Sequence, residues 1–164
     1  VEVVYVRLRR EPKRDRKCRL LLPVCPVYGL GALAILLLPE TVRQQPLLLF
    51  PAAALACTGV EYGAGLFYQR VFRVSFWDYS HLPMNLGGRV CPLFSLFWGG
   101  LAVVTLWVIH PWVTLLVSAI PPWALPPVLL LWGADTLLTA LVLRRTGDTN
   151  ALRWYLRPAR RRSA

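Results

Sequence analysis

Residues 73–98, RVSFWDYSHLPMNLGGRVCPLFSLFW, contain the densest group of polar side chains in a chain that is otherwise strongly apolar. Long stretches with almost no charge lie on both sides of this segment. A polar segment between two apolar stretches forms either a loop at a membrane surface or the mouth of a cavity. We call residues 77–89 the central loop and interpret the rest of the chain outward from it.

The apolar stretches predict an all-α integral membrane helical bundle with four transmembrane helices. The chain has 164 residues, of which 56% are hydrophobic, and the excess is gathered into blocks. Each block has about 20 residues, the length that a helix needs to cross a hydrocarbon core of about 30 Å. None shows the regular polar face of a helix in a soluble core. The predicted spans are residues 20–38, 47–69, 90–109 and 124–143.

The positions of the basic residues predict a topology. The net charge is +11, with eight of the 19 Lys and Arg residues in residues 7–19, seven in residues 144–162 and three (Arg70, Arg73 and Arg89) in or near the central loop. If the first span begins in the cytoplasm, all of these lie on that side, and only Arg43 lies outside. We therefore expect a multi-pass cell-membrane protein with both ends cytoplasmic. Its expected partner is the lipid bilayer, including anionic lipids, and not nucleic acid.

This interpretation divides the chain into three parts. Residues 1–19 are expected to be the end of a truncated helix followed by a basic cytoplasmic segment, because the sequence starts with VEVVYV and no Met. Residues 20–143 are the transmembrane helical domain, and residues 144–164 are a basic cytoplasmic tail. Within the domain, Pro23 and Pro26 predict a bent or non-helical start of the first span. The proline-rich residues 112–127 are expected to form an outer hairpin or interfacial segment.

Two acidic residues lie inside predicted spans. Glu61 and Asp135 are each eight residues from the cytoplasmic end of their span, which is about 12 Å at 1.5 Å per residue. A charged side chain that faces lipid is costly, so each acid should face a partner or a wet cavity. Two hypotheses remain open. Either both acids line one cavity roofed by the central loop, or each hydrogen-bonds a neighbouring helix and serves packing.

The central loop is expected to be ordered. Asp78 can accept hydrogen bonds from Ser80 and His81 in an Asx-type turn, and Gly87-Gly88 favours a sharp turn before the third span. Trp77 and Tyr79 are amphipathic rings of the kind found at the head-group level.

The four cysteines give no metal or redox motif. Cys18, Cys25, Cys57 and Cys91 include neither a CxxC pair nor a Cys/His group with zinc spacing. We interpret all four as small apolar residues, and disulfides are not expected on the cytoplasmic side. No cofactor is predicted.

Four motifs together resemble one known family. They are CPVYGLGAL (residues 25–33), TGVEYGAG (58–65), WDYSHLPMNLGG (77–88) and CPLFSLFWGGL (91–101). In this order they are similar to the small bacterial membrane proteins of the putative ABC-transporter type IV family, over residues 2–135. In that family an earlier helix ends in Gly-Trp-x-x-Glu, to which only Glu2 corresponds here. The resemblance implies a transporter permease.

The residues in these motifs and in the spans give a set of candidates for substrate binding. They are Glu61, Trp77, Asp78, Tyr79, Asn85, Arg89, Ser95, Trp98 and Asp135.

Three functions agree with the sequence to different degrees. The first is a permease-type transport protein with a separate ATPase subunit, because no GxxxxGK[ST] loop occurs, and with a homo-oligomer to complete the pathway. The second is a structural or regulatory membrane subunit that docks partners through the central loop. The third and least favoured is an intramembrane enzyme using acids such as Glu61 and a base such as His81 or His110. No HExxH or GxSxG motif is present, so the chain is not expected to be an enzyme.

Overall fold

A computed structural model describes residues 17–153 of the chain. The predicted truncated helix with most of the first basic segment (residues 1–16), and the end of the tail (residues 154–164), lie outside the described residues. Residues 17–153 are helical over most of their length and contain no β-strand, which confirms the all-α prediction. The α-helices are α1 (Pro26–Leu36), α2 (Glu40–Arg43), α3 (Pro46–Phe67), α4 (Pro92–Val104), α5 (His110–Ser118) and α6 (Leu125–Thr146).

Three continuous helices within residues 17–153, not four, are long and apolar enough to cross a membrane. Each contains a π or 3₁₀ turn in addition to one or two α-helices, and their lengths are 27, 27 and 25 residues. They are Pro46–Phe72, which contains α3, Pro92–Ser118, which contains α4 and α5, and Pro122–Thr146, which contains α6.

The first predicted span, residues 20–38, is wrong because its helix is too short. Helix α1 has 11 residues, which at 1.5 Å per residue gives about 16 Å, or half of a hydrocarbon core. Pro26 lies in its first turn and has no backbone N–H to donate to a carbonyl of a preceding turn, so the helix cannot easily start earlier. Cys25 before it is extended, with φ −108° and ψ 118°. Residues 17–25 therefore form a non-helical segment.

The span that contains α4 is longer than predicted, because Pro111 does not end the helix. Residues 112–127 were expected to form an outer hairpin. Instead, a π-helical turn at Thr105–Ile109 widens the helix just before the proline, which accommodates the hydrogen bond that proline cannot make. The helix continues to Ser118, and residues 119–121 connect it to the last span.

Helices α1, α3 and α4 form the core of the bundle. Leu49 near the start of α3 and Ala102 near the end of α4 share one buried apolar cluster. Phe94 near the start of α4 belongs to a second cluster, against which Ala64 of α3 packs. Helices α3 and α4 are therefore antiparallel, and α1 packs across both clusters.

Helix α6 joins this core through one stripe of residues. Its buried residues are Asp135, Thr139 and Leu143, which recur at four-residue spacing and so lie on one face. Leu143 packs in a cluster with Val74 and Leu152. Most of the other α6 side chains are apolar and exposed, as suits a helix that faces lipid.

Gly99 is required where α3 and α4 approach each other. A Cβ atom at Gly99 would lie 2.8 Å from the backbone oxygen of Phe50, whereas a Cβ atom at Gly100 would have no neighbour within 4 Å. Small residues let membrane helices pack this closely.

We predict that Gly99→Ala destabilises the folded protein by about 1–3 kcal/mol, because the new methyl group must push the two helices apart. Gly100→Ala is the matched control and should be neutral or slightly stabilising, since alanine favours helix. Denaturation of each purified variant in detergent, followed by circular dichroism, measures the difference. Equal stability of the two variants would contradict this close approach.

Candidate functional site

Glu61 is at the centre of a buried polar group between α3, α4 and the central loop. The residue is 4% exposed. Its Oε1 accepts a hydrogen bond from the Tyr79 hydroxyl at 2.9 Å, and its Oε2 accepts one from the Trp98 indole N–H at 3.0 Å. A buried carboxylate without donors would be costly, so these two bonds explain how α3 carries an acid. We call Glu61, Tyr79 and Trp98 the Glu61 cluster.

Stacking and a second polar contact hold the Glu61 cluster in place. The Tyr79 ring stacks on Phe94, with ring centroids 4.5 Å apart and an interplanar angle of 15°. About one helical turn before Glu61, the Thr58 hydroxyl lies 2.7 Å from the hydroxyl oxygen of Ser95 on α4. The Ser95 hydroxyl donates to the Cys91 carbonyl at 3.1 Å. Ser95, a predicted site residue, thus links α3 to α4.

The central loop is ordered by its own hydrogen bonds, as predicted. The Ser80 N–H donates to Asp78 Oδ1 at 2.9 Å, which is the expected Asx-type contact. The Asn85 Oδ1 accepts the Gly88 N–H at 3.0 Å, and the Gly88 carbonyl accepts the Tyr79 N–H at 2.8 Å. Asp78 and Asn85 therefore shape the loop that carries Tyr79 to Glu61.

Gly88 is the point where the central loop needs glycine. Its φ is +68°, a left-handed conformation that glycine adopts without a steric penalty. A Cβ atom there would lie 2.7 Å from Asp78 Oδ1. The predicted sharp turn is therefore present, and the Asx-type turn packs directly against it.

Trp77 and Arg89 hold the base of the loop against the end of α3. The Trp77 indole N–H donates to the Arg89 carbonyl at 2.8 Å. The Arg89 Nε donates to Gln69 Oε1 at 2.8 Å, and its guanidinium carbon lies 5.5 Å from the centroid of the Tyr62 ring.

The expectation that Trp77 and Tyr79 sit among lipid head groups does not fit their burial. Trp77 is 8% exposed and Tyr79 is 2% exposed. Both belong to the buried apolar cluster that also includes Val27 of α1 and Phe94 of α4. These rings anchor the central loop into the protein.

Asp135 lies in a different environment, between α6 and the non-helical segment. It is 0% exposed. Its Oδ1 accepts the Leu21 N–H at 2.8 Å, and its Oδ2 accepts the Leu22 N–H at 3.2 Å. Arg19 Nη1 lies 3.8 Å from Asp135 Oδ2 and donates to the Thr136 hydroxyl at 2.6 Å.

These contacts solve a problem that the non-helical segment creates. Backbone N–H groups outside a helix need other acceptors when no water is available. Leu20 N–H finds one in the Thr139 hydroxyl at 3.0 Å, and the next two N–H groups find theirs in Asp135. Helix α6 thus supplies three successive acceptors to the segment. Accepting these backbone hydrogen bonds explains why an acid is buried at position 135, and no substrate is needed to account for it.

Arg19 is the last residue of the predicted basic segment, and its side chain is buried. The residue is 2% exposed, and its guanidinium carbon lies 4.6 Å from the centroid of the Trp132 ring. Its Nε has no hydrogen-bond partner among residues 17–153. The sequence gives one weak signal for Arg19, which is its position directly before the first apolar stretch. Thr139 had a clearer signal, because it lies four residues after Asp135 on the same helix face.

The two acids therefore have different neighbours. Glu61 is bound to the central loop and α4, whereas Asp135 is bound to the non-helical segment. These contacts match the hypothesis in which each acid hydrogen-bonds a neighbouring element, rather than one shared cavity.

A cavity of about 520 Å³ opens near the end of the bundle opposite the central loop. It is lined by Glu40, Arg43, Gln44, Leu106, Trp107, His110 and Pro111. None of the nine predicted site residues lines this cavity. Among residues 17–153, no group of three or more His, Cys, Asp or Glu side chains is placed to hold a metal ion.

Comparison with known proteins identifies the family. The family model described as Putative ABC-transporter type IV matches residues 1–143, a range that includes the Glu61 cluster, the central loop and Asp135. The chain belongs to this family. Family membership and the three long apolar helices indicate a membrane protein that is transporter-like. No curated protein and no solved structure matches the chain.

We predict that Glu61→Leu destabilises the fold by about 3 kcal/mol, because the Tyr79 hydroxyl and the Trp98 N–H both lose their acceptor. Glu61→Gln should cost less, since the Tyr79 hydroxyl can turn and accept from the new amide. A double-mutant cycle between Glu61→Gln and Tyr79→Phe should give a coupling energy of about 1 kcal/mol. The control cycle pairs Glu61→Gln with Thr139→Val and should be additive. Thr139 lies on the same buried face of α6 as Asp135. Coupling between Glu61 and Thr139 would therefore indicate that the two acids share one site.

We also predict that Asp135→Asn destabilises the fold by about 3 kcal/mol, because it leaves the buried Arg19 charge without its counter-ion. The double variant Arg19→Met with Asp135→Asn removes both charges and should recover much of this loss. Glu40→Gln, at an exposed acid, is the control and should change stability by less than about 0.5 kcal/mol. Unfolding midpoints in detergent measure all three effects. Additive losses in the double variant would contradict a buried ion pair.

Proposed function

We propose that this chain is a permease-type membrane subunit of a transport system whose ATP-hydrolysing subunit is a separate protein. Membership of the family supports a role in transport. The 164 residues contain no GxxxxGK[ST] loop, so the energy of ATP would have to come from a partner. With three long apolar helices in the described part, a second copy would complete the pathway. We propose no enzymatic role, since the chain carries no catalytic motif.

The proposed location is the cell membrane, with the central loop in the cytoplasm. Leu20 packs against the buried cluster of Val74, Leu143 and Leu152, so the non-helical segment, the residues after α3 and the end of α6 meet at one end of the bundle. Basic residues concentrate at that end, which we call the basic end. By the positive-inside rule, such an end faces the cytoplasm. Its exposed basic side chains include Arg70, Arg73, Arg144 and Arg145.

The observation that best supports a partner is an exposed apolar tip on the ordered central loop. Met84 is 83% exposed and Leu86 is 61% exposed, while Leu82 between them and the loop base is buried. Apolar side chains held outward by a hydrogen-bonded loop form a preorganised docking surface. At the cytoplasmic end of a transport subunit, a soluble ATPase subunit is the partner that this tip would contact. Anionic lipid is the alternative partner for the same end.

A structural or regulatory membrane subunit is the second candidate function. The Glu61 carboxylate is already bound by two donors of the protein itself, Tyr79 and Trp98. A carboxylate that is occupied in this way favours holding helices and the loop together over binding a substrate. In this case the central loop would still dock a partner, but the complex would not transport through this chain.

We predict that an ATPase subunit co-purifies with the tagged full chain from native membranes, and that Met84→Asp with Leu86→Asp lowers its recovery about tenfold or more. The reason is that two buried apolar contacts of the interface would become charged. Thr41→Asp adds a charge at the opposite end and should leave recovery unchanged. Mass spectrometry identifies the partner by its P-loop. Equal recovery for all variants would exclude docking through the tip.

Reconstitution of the purified complex in liposomes then separates the two functions. ATP-dependent uptake supports the permease, and a stable complex without uptake supports the structural subunit.

A further inference from the structure

Two cysteines meet at the two ends of the non-helical segment. The sulfur atoms of Cys18 and Cys25 lie 2.8 Å apart. Cys25 is the N-cap residue of α1, and Pro26 follows it in the first turn. Cys18 is 5% exposed and Cys25 is half-buried. At this distance no covalent bond joins the two sulfurs. Seven residues apart, they match no CxxC pattern, which is why the sequence alone indicated only small apolar residues.

We propose that Cys18 and Cys25 are a reversible dithiol–disulfide couple, a modification site whose oxidant is a small disulfide such as glutathione disulfide. The two sulfurs would have to move together by about 0.8 Å to reach the length of a disulfide bond. That movement falls within a segment without helical hydrogen bonds, so it does not require a helix to unwind. This proposal is independent of the transport role.

The chemistry begins at Cys25. Cys25 is the more exposed of the two residues, and the thiolate is the form of a thiol that attacks a disulfide. The Cys25 thiolate attacks one sulfur of glutathione disulfide, the disulfide bond of glutathione breaks, and one glutathione thiolate leaves. Cys18 loses its proton and attacks the Cys25 sulfur of the mixed disulfide, and the second glutathione leaves as a thiolate. Two electrons pass from the protein to glutathione, and two protons go to the two glutathione thiols.

The other two cysteines do not share this geometry and provide internal controls. Cys57 is 0% exposed within α3, and its sulfur donates to the Gly31 carbonyl at 3.7 Å. Cys91 is 2% exposed at the start of α4. Both are buried away from an oxidant, so they should remain thiols while the couple reacts.

Oxidation of the two cysteines would affect the contacts between the non-helical segment and α6. The residues between the two cysteines include Arg19, Leu21 and Leu22, which make the contacts with Asp135 and Thr136. A disulfide that closes a short loop around these residues lowers the number of conformations they have when detached. In the reducing cytoplasm proposed above, such a bond would form only under oxidative conditions. It would therefore act as a sensor of oxidation and not as a permanent structural link.

The test measures thiols in the full chain at a series of reduced-to-oxidised glutathione ratios. After acid quenching and unfolding in detergent, a polyethylene-glycol maleimide counts the remaining thiols. We expect the count to fall from four to two in a single step, and digestion should give one peptide pair linked through residues 18 and 25. Cys57→Ser and Cys91→Ser should each fall from three to one. Cys18→Ser should instead stop as a glutathione mixed disulfide at Cys25.

Three outcomes would overturn the proposal. They are a count that stays at four under the most oxidising buffer, a linked peptide that contains Cys57 or Cys91, and a wild-type protein that accumulates glutathione on Cys25 without closing the bond. Peptide mapping uses the wild-type chain, so the result stands even if a serine variant fails to fold. A second expected result is a higher unfolding temperature for the oxidised than for the reduced wild type. Cys25→Ser should show no such shift.

Discussion

The structure depends on how the backbone of the non-helical segment is satisfied. Residues 20–22 have no helical hydrogen bonds, and their N–H groups donate to Thr139 and Asp135 of α6. In a membrane, each of these groups would otherwise carry a cost of several kcal/mol. The same contacts fix the position of α6, whose buried face consists of Asp135, Thr139 and Leu143. One set of bonds therefore makes a broken first span tolerable and attaches the last helix.

The Glu61 cluster attaches the central loop by the same physical means. Lipid is as apolar as leucine, so burial of apolar surface alone gives little preference for one helix partner over another. Directional bonds supply that preference. Glu61 accepts from Tyr79 of the loop and from Trp98 of α4, so a single carboxylate joins three parts of the bundle. Glu61 thus fixes the orientation of the central loop, and Asp135 fixes that of the non-helical segment.

The sequence predicted the parts of the fold that depend on apolarity and missed those that depend on tertiary hydrogen bonds. Three long spans follow from hydropathy, and the family and the ordered loop follow from motifs. Hydropathy does not report whether an apolar stretch is helical, so residues 20–38 looked like a full span although Pro26 limits the helix. The proline-rich residues 112–127 misled in the opposite direction, because the helix continues past Pro111 to Ser118 after a π-helical turn. The partners of Glu61 are 18 and 37 residues away, beyond any local pattern.

The basic end is the place where these separate attachments meet. Leu143 of α6, Val74 after α3, and Leu152 form one buried cluster, against which Leu20 and Phe76 pack. Leu20 follows the buried Arg19 directly, and Phe76 precedes Trp77 at the base of the central loop. If the hydrogen bonds between α6 and the non-helical segment changed, the effect would therefore reach the central loop through packed side chains, since packed interiors transmit strain. The loop that carries the exposed tip and the segment that carries the two thiols thus pack against the same buried cluster, through Phe76 and Leu20.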